Sequence, residues 1–223
     1  MILTIWSSKG GVGKTSIAVE IAGRLKSSII TNEANTRVAL FSFLKDKYYV
    51  LEHNQTLSEL SLPKNVIFDF GGMVDPRVLE AVELSKYILM PVTPSMIDIQ
   101  KCAEDIEGIL TAFKNVASDL SESELTELFT NLLEKFVIII NKNIMEEESA
   151  AIIKQITNIL AQSGINHKFQ YFTVPESRAL KNMHAEMQSI QEMIKNSASS
   201  MLLARSYKKI NTVFNEIIEF ITK

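Results

Sequence analysis

The sequence predicts an α/β fold, a mostly parallel sheet flanked by helices on both faces. Three observations predict it. Short runs rich in β-branched and aromatic residues alternate with longer helical patterns along the chain. Those runs are apolar throughout, as in strands covered on both faces, rather than alternating with polar residues. A glycine-rich loop stands between the first such run and the first helical pattern.

Taken in order, Ile2–Trp6 reads as a buried strand and Ser16–Lys26 as a helix with Ile17, Val19, Ile21 and Leu25 among its apolar positions. Ser28–Thr31 is a second short strand. Arg37–Leu51, rich in Phe, Tyr and Leu, fits either a helix or a mobile segment near a site. Val66–Phe70 is a third strand, closed by Gly71-Gly72. Pro76–Ser85 follows as a helix, with proline at a tolerated early position. Tyr87–Val92 is a strand and Ser95–Lys114 a helix, whereas Ser118–Glu127 is polar and acidic, a solvated helix start or loop. Phe136–Ile140 is a further apolar strand. From about Pro175 the pattern is helical, with breaks expected near Asn196–Ser200.

Composition narrows the function classes. With 223 residues, the chain is expected to form one domain, 1–223, with a sizeable core. The net charge of −3 supplies no global basic field, so any contact with nucleic acid requires a local patch of Lys and Arg. Cys102 is the only cysteine, which leaves no intrachain disulfide and no thiolate cluster. The N-terminus shows no secretory signal, and the most apolar run, Phe136–Ile140, is far short of the roughly 20 residues that cross a bilayer. A soluble, cytoplasmic protein is expected.

The informative run is Ser7-Ser8-Lys9-Gly10-Gly11-Val12-Gly13-Lys14-Thr15-Ser16. Its glycines let the backbone curl so that several N–H groups converge on one phosphate. The helix that follows adds unpaired N–H groups and a positive dipole end. Lys9 to Ser16 are thus expected to cradle ATP, with Gly10, Gly11, Val12 and Gly13 contributing backbone. Lys14 is expected to reach the β- and γ-phosphates, and the Thr15 hydroxyl to ligate Mg²⁺. The usual eight-residue pattern has Gly at its first position, where this chain has Ser8.

Lys9-Gly10-Gly11-Val12-Gly13-Lys14-Thr15 resembles the deviant Walker A motif of the ParA/MinD ATPases, most like the compact ParA-type partition proteins. The first strand begins at Ile2, as in those compact members. The resemblance makes Lys9 the family's signature lysine, which reaches across a two-fold interface to the partner subunit's nucleotide. It also implies that Asp69, ending Val66–Phe70, is the Walker B acid that assists Mg²⁺. The strand Tyr87–Val92 and its exit Thr93-Pro94-Ser95 are similar to the family's next strand. By the same resemblance Asn141 hydrogen-bonds the adenine edge, and Val174–Arg178, with Pro175, passes over the base. One departure stands out. The family carries Asp-x-Asp after the second strand, its first Asp acting in hydrolysis, and the natural alignment places Asn32 and Ala34 there. Asn32 can hydrogen-bond a water but cannot accept its proton. Glu33 could substitute only with a one-residue shift, which would point it to a different face. Slow or partner-dependent hydrolysis is expected.

The resemblance implies an ATP-dependent homodimer that acts in plasmid or chromosome partition, holds non-specific DNA and meets an adaptor or centromere-binding partner. Basic residues for a DNA face are Arg178, Lys181, Lys195, Arg205, Lys208 and Lys209. The alternatives are a MinD-like membrane-positioning switch and a conjugation or secretion accessory ATPase. The last helical pattern is amphipathic through Ile210, Val213, Phe214, Ile217, Ile218 and Ile221. Its polar face carries Glu216 and Glu219 rather than a basic stripe, so it is read as core packing and membrane binding is not expected.

Overall fold

The apolar runs become the strands of a single parallel sheet. The computed structural model describes residues 1–33, 35, 37–72, 74–143, 145–196 and 201–223. Its strands are β1 (Ile2–Ser7), β2 (Ser28–Thr31), β3 (Tyr48–Val50), β4 (Val66–Gly71), β5 (Tyr87–Val92), β6 (Phe136–Asn143) and β7 (Gln170–Pro175). They lie in the order β3-β2-β4-β1-β5-β6-β7, each pairing parallel with its neighbours. The helices are α1 (Lys14–Leu25), α2 (Pro76–Leu84), α3 (Met96–Val116), α4 (Glu122–Lys135), α5 (Ser149–Gln162), α6 (Arg178–Glu186), α7 (Ile190–Asn196) and α8 (Met201–Thr222).

Strand alternation sorts the core into two layers. Leu3 and Ile5 of β1, Ile29 of β2, Ile67 of β4 and Val137 and Ile139 of β6 pack with α1, α6, α7 and α8. Trp6, Ile30, Phe68, Phe70, Ile138 and Ile140 point the other way, against α2, α3, α4 and α5. Thr31 pairs with Asp69 across β2 and β4, and Asn141 extends β6. By parity Thr31, Asp69 and Asn141 share the α1 face, at the C-terminal ends of their strands. That end of an open parallel sheet is where ligands bind.

The amphipathic stripe of α8 is core. Ile210, Phe214, Ile217 and Ile221 are fully buried in the α1-side layer. Each stabilises the fold by roughly 1.5–3 kcal/mol, which opposes releasing this helix to a membrane surface. No described helix is long and apolar enough to cross a membrane.

Several boundaries differ from the sequence reading. Helix α1 opens at Lys14 rather than Ser16, because Gly13 takes a left-handed conformation (φ 100°) and caps it. The polar stretch Ser118–Glu127 contains the start of α4, where Ser121 and Glu124 form a reciprocal capping box. Arg37–Leu51 is neither a long helix nor irregular: it holds two single 3₁₀ turns, Val38–Leu40 and Ser42–Leu44, followed by β3. β3, β7 and α5 are additions to that reading. The breaks expected near Asn196–Ser200 concern residues 197–200, which lie outside the described part; the gap between α6 and α7, at residues 187–189, is a further one.

Candidate functional site

The strand-to-helix loop is held open by side chains that take its carbonyl groups. The Lys14 ammonium donates to the carbonyl of Lys9 at 3.0 Å and Lys142 Nζ to that of Gly11 at 2.8 Å. Asn141 Nδ2 donates to the carbonyl of Val12 at 2.7 Å. With these carbonyls engaged, the backbone N–H groups of Gly10, Gly11, Val12 and Gly13 have no partner among the described residues. Four successive free N–H groups at the opening of α1 make an anion-binding concavity. Gly13 is required twice over, by its positive φ and because a Cβ there would collide with the Asn141 amide.

Ser8, the departure from glycine at the loop's first position, has a partner of its own. Asp105 of α3 accepts from the Ser8 backbone N–H at 2.9 Å, the Ser8 hydroxyl at 2.5 Å and the Ser7 hydroxyl at 3.3 Å. Burial pushes the Asp105 carboxyl above its ordinary range, opposed by these bonds and by Lys101. The start of the loop is therefore pinned to α3. Asp105 was missed in the sequence. Its signal was a lone acid among Cys102, Ala103, Ile106, Ile109 and Leu110, all buried on one face of α3.

Lys14, Thr15 and Asp69 converge beneath the loop. Asp69 is 5% exposed, and burial raises its pKa to about 6. The Thr15 hydroxyl, which donates toward it, and the Lys14 ammonium hold the value down, while Glu33 pushes it further up. Asp69 Oδ1 is buried without a hydrogen-bond partner among the described residues. A desolvated carboxylate oxygen with no donor is costly unless a cation satisfies it. Thr15 and Asp69 thus fit a divalent ion that takes its remaining ligands from phosphate and water, the habit of Mg²⁺. Among the described residues no group of three His, Cys, Asp or Glu stands together that could hold a metal alone.

Lys9 is on the rim. Its side chain is 44% exposed and its Nζ lies 4.0 Å from Asp98 Oδ1, so it is not committed to the phosphate loop. Asn32 is committed: its Nδ2 donates to the carbonyl of Gly71 at 2.9 Å and its Oδ1 accepts from the Gly71 N–H at 3.0 Å. This amide ties the end of β2 to the end of β4. Ala34, the other departure from the family's acidic pair, lies outside the described residues. Asn141 is buried, and besides bonding Val12 it accepts from the Lys142 N–H at 2.9 Å. Its amide braces the phosphate loop from the side.

These groups border a cavity of about 1310 Å³. Gly10, Gly11, Gly13, Lys14, Thr15, Ser16 and Asn141 line it, and so does Pro175 at the end of β7. Beyond the phosphate loop, α6 supplies a second wall through Arg178, Lys181 and His184, with Tyr207 of α8 behind. His184 Nε2 is 2.9 Å from the Ser16 hydroxyl and packs edge-on against Phe41. Burial, and then the nearby Arg37 charge, lower its pKa below the ordinary histidine value. Asn182 donates to the Tyr207 hydroxyl at 2.7 Å, fixing that ring. Arg178 and Lys181, read from sequence as part of a DNA face, therefore border this cavity. Lys195, Arg205, Lys208 and Lys209 are exposed.

No family model matches the sequence, and no curated protein is similar to it in sequence. Solved structures are similar. McdA from Cyanothece, without nucleotide, superposes with a TM-score of 0.58 at 13% identity over 94% of this chain and 98% of McdA. MinD in the MinC:MinD cell division complex of Aquifex aeolicus gives 0.57 at 14% identity, covering 97% of this chain and 95% of that one. A protein from Borrelia burgdorferi B31 named for plasmid partition and bound to AMPPNP gives 0.51 at 16% identity, covering 96% and 98%. The chain thus has the parallel α/β fold of these proteins, and the resemblance to the ParA/MinD family read from Lys9–Thr15 holds at the level of the fold.

Proposed function

We propose that this chain is an ATP-dependent switch of the ParA/MinD type, which binds ATP with Mg²⁺, dimerises in that state and hydrolyses ATP slowly. The observation that carries this reading is the cradle itself. Four unpartnered N–H groups, the Lys14 ammonium and the Thr15–Asp69 pair meet at the C-terminal edge of β1 and β4. A triphosphate supplies the anion these donors lack, and its Mg²⁺ supplies the cation the buried Asp69 oxygen lacks. The nucleotide-bound partition protein and the partner-bound MinD among the similar structures support the reading from the fold.

Lys9 supports dimerisation. A phosphate cradle needs one lysine, and Lys14 fills that place, leaving the Lys9 side chain exposed at the rim, 4.0 Å from Asp98. Two triphosphates brought face to face concentrate negative charge, which a lysine from each partner offsets. Partition is favoured over membrane positioning because the α8 stripe is core, and Lys195 of α7 and Arg205, Lys208 and Lys209 of α8 are exposed and available to a phosphate backbone. Non-specific DNA and an adaptor protein are the partners this reading calls for.

The binding half is tested by titrating a fluorescent ATP analogue in Mg²⁺ against wild type and Lys14→Ala. Loss of the charge-assisted bonds to phosphate is worth roughly 1.5–3 kcal/mol, a weakening of about 10- to 100-fold. Equal affinity in both proteins contradicts the assignment of the cradle.

A further inference from the structure

The resemblance leaves hydrolysis without an acid, since Asn32 stands where the family has one. The structure removes Asn32 from the reacting centre altogether by engaging its amide with both backbone groups of Gly71. The next residue is placed differently. Thr31 closes β2 opposite Asp69 on the α1 face, and side chains two residues apart share a face. Past the strand the chain bends, and the bend carries the Glu33 side chain to the cavity beside the phosphate loop. Glu33 lines the cavity with Lys14, Thr15 and Gly72, and its carboxylate lies so close to Gly71 that a Cβ there would meet it under 3.0 Å.

The Glu33 backbone is tied down as well. Its N–H donates to the Thr31 hydroxyl at 3.1 Å, and that hydroxyl lies 3.2 Å from its carbonyl. The Tyr48 hydroxyl of β3 lies 3.4 Å from the same carbonyl. The short edge strand β3 therefore helps hold a carboxylate at the cavity mouth.

We infer that Glu33, and not Asn32, is the carboxylate that receives the attacking water's proton during ATP hydrolysis. The inference rests on the ATPase reading above. In the step, a water oxygen bonds to the γ-phosphorus as the bond from that phosphorus to the β–γ bridging oxygen breaks. ADP leaves with the electron pair of the broken bond. The proton shed by the water passes to the Glu33 carboxylate and from there to the released phosphate. Glutamate next to the γ-phosphate also sets like charges together, so it weakens binding of the triphosphate more than of the diphosphate.

The experiment uses the full chain with Mg²⁺ and compares wild type, Glu33→Gln and Glu33→Asp. Three quantities are read: single-turnover ATP hydrolysis, affinity for AMPPNP, and affinity for ADP. Glu33→Gln is expected to slow turnover by about 10²-fold or more, the usual contribution of a positioned base. It should also bind AMPPNP about 3- to 10-fold more tightly while ADP affinity stays unchanged, a ratio that a purely structural role would not alter. Glu33→Asp keeps the carboxylate and should recover part of the rate. Turnover by Glu33→Gln within about 3-fold of wild type, with an unchanged AMPPNP-to-ADP ratio, overturns the assignment. A wild type that binds AMPPNP but hydrolyses no ATP overturns it too and leaves the binding reading standing. A wild type that binds neither nucleotide removes the ATPase reading and the inference together.

Discussion

Asp69 holds the sharpest electrostatic conflict among the residues of the site. Its ordinary pKa of 3.8 rises to about 6, burial being the largest cause. Between those two values the folded protein keeps a proton that the unfolded chain has released. Stability therefore falls as pH rises through that window, and the penalty is complete above it. A shift of this size corresponds to about 2–3 kcal/mol at neutral pH. Asp69→Asn keeps the shape and removes the charge, so without nucleotide or divalent ion it should melt higher than wild type at pH 7.5. At pH 3.5 the two should converge. Thermal melts at both values check this, and a variant less stable than wild type at pH 7.5 contradicts it. The residues that carry the phosphate cradle were legible because one contiguous run, Lys9–Ser16, encodes them. Asp105 on Ser8, His184 on Ser16 and Glu33 on Gly71 were not, because each contact joins residues 38 to 168 positions apart. Strand alternation carried on from Asn32 points Glu33 to a different face, whereas the bend after Thr31 brings its carboxylate against Gly71 and into the cavity.

Elements were legible in proportion to their burial. β1, β4, β5 and β6 are covered on both faces and read as unbroken apolar runs. The edge strands gave no such signal. β3 is three residues long, with Tyr49 and Val50 exposed, and β7 exposes Gln170 and Tyr171. α8 shows the same principle from the other side, since its stripe alone cannot say whether a membrane or a core covers it. The α1-side layer covers it, and Phe214 lies at the centre, with Arg24 of α1 stacked 5.5 Å above its ring. Phe214→Ala should cost about 3–5 kcal/mol in denaturant unfolding, the usual result of emptying a phenylalanine site in a core. A loss under about 1 kcal/mol, accompanied by weaker binding to anionic vesicles, would return α8 to the membrane reading.

For the whole molecule, the sheet brings the loop after β1, the ends of β2 and β4 and the start of α6 to one edge, and the rim of that edge carries Lys9. As a switch, that edge closes against a second copy only when a triphosphate fills it. A ligand can shift the monomer–dimer balance only by contacts it makes in one state and not the other, and a cross-subunit lysine supplies such a contact. Solution mass in Mg²⁺ therefore reads this closure, measured with no nucleotide, with ADP and with AMPPNP, for wild type and Lys9→Ala. The wild type is expected to be a monomer that becomes a dimer with AMPPNP alone, and Lys9→Ala to bind AMPPNP but stay monomeric. A mass that does not change with nucleotide, or a Lys9→Ala protein that dimerises like wild type, would contradict it.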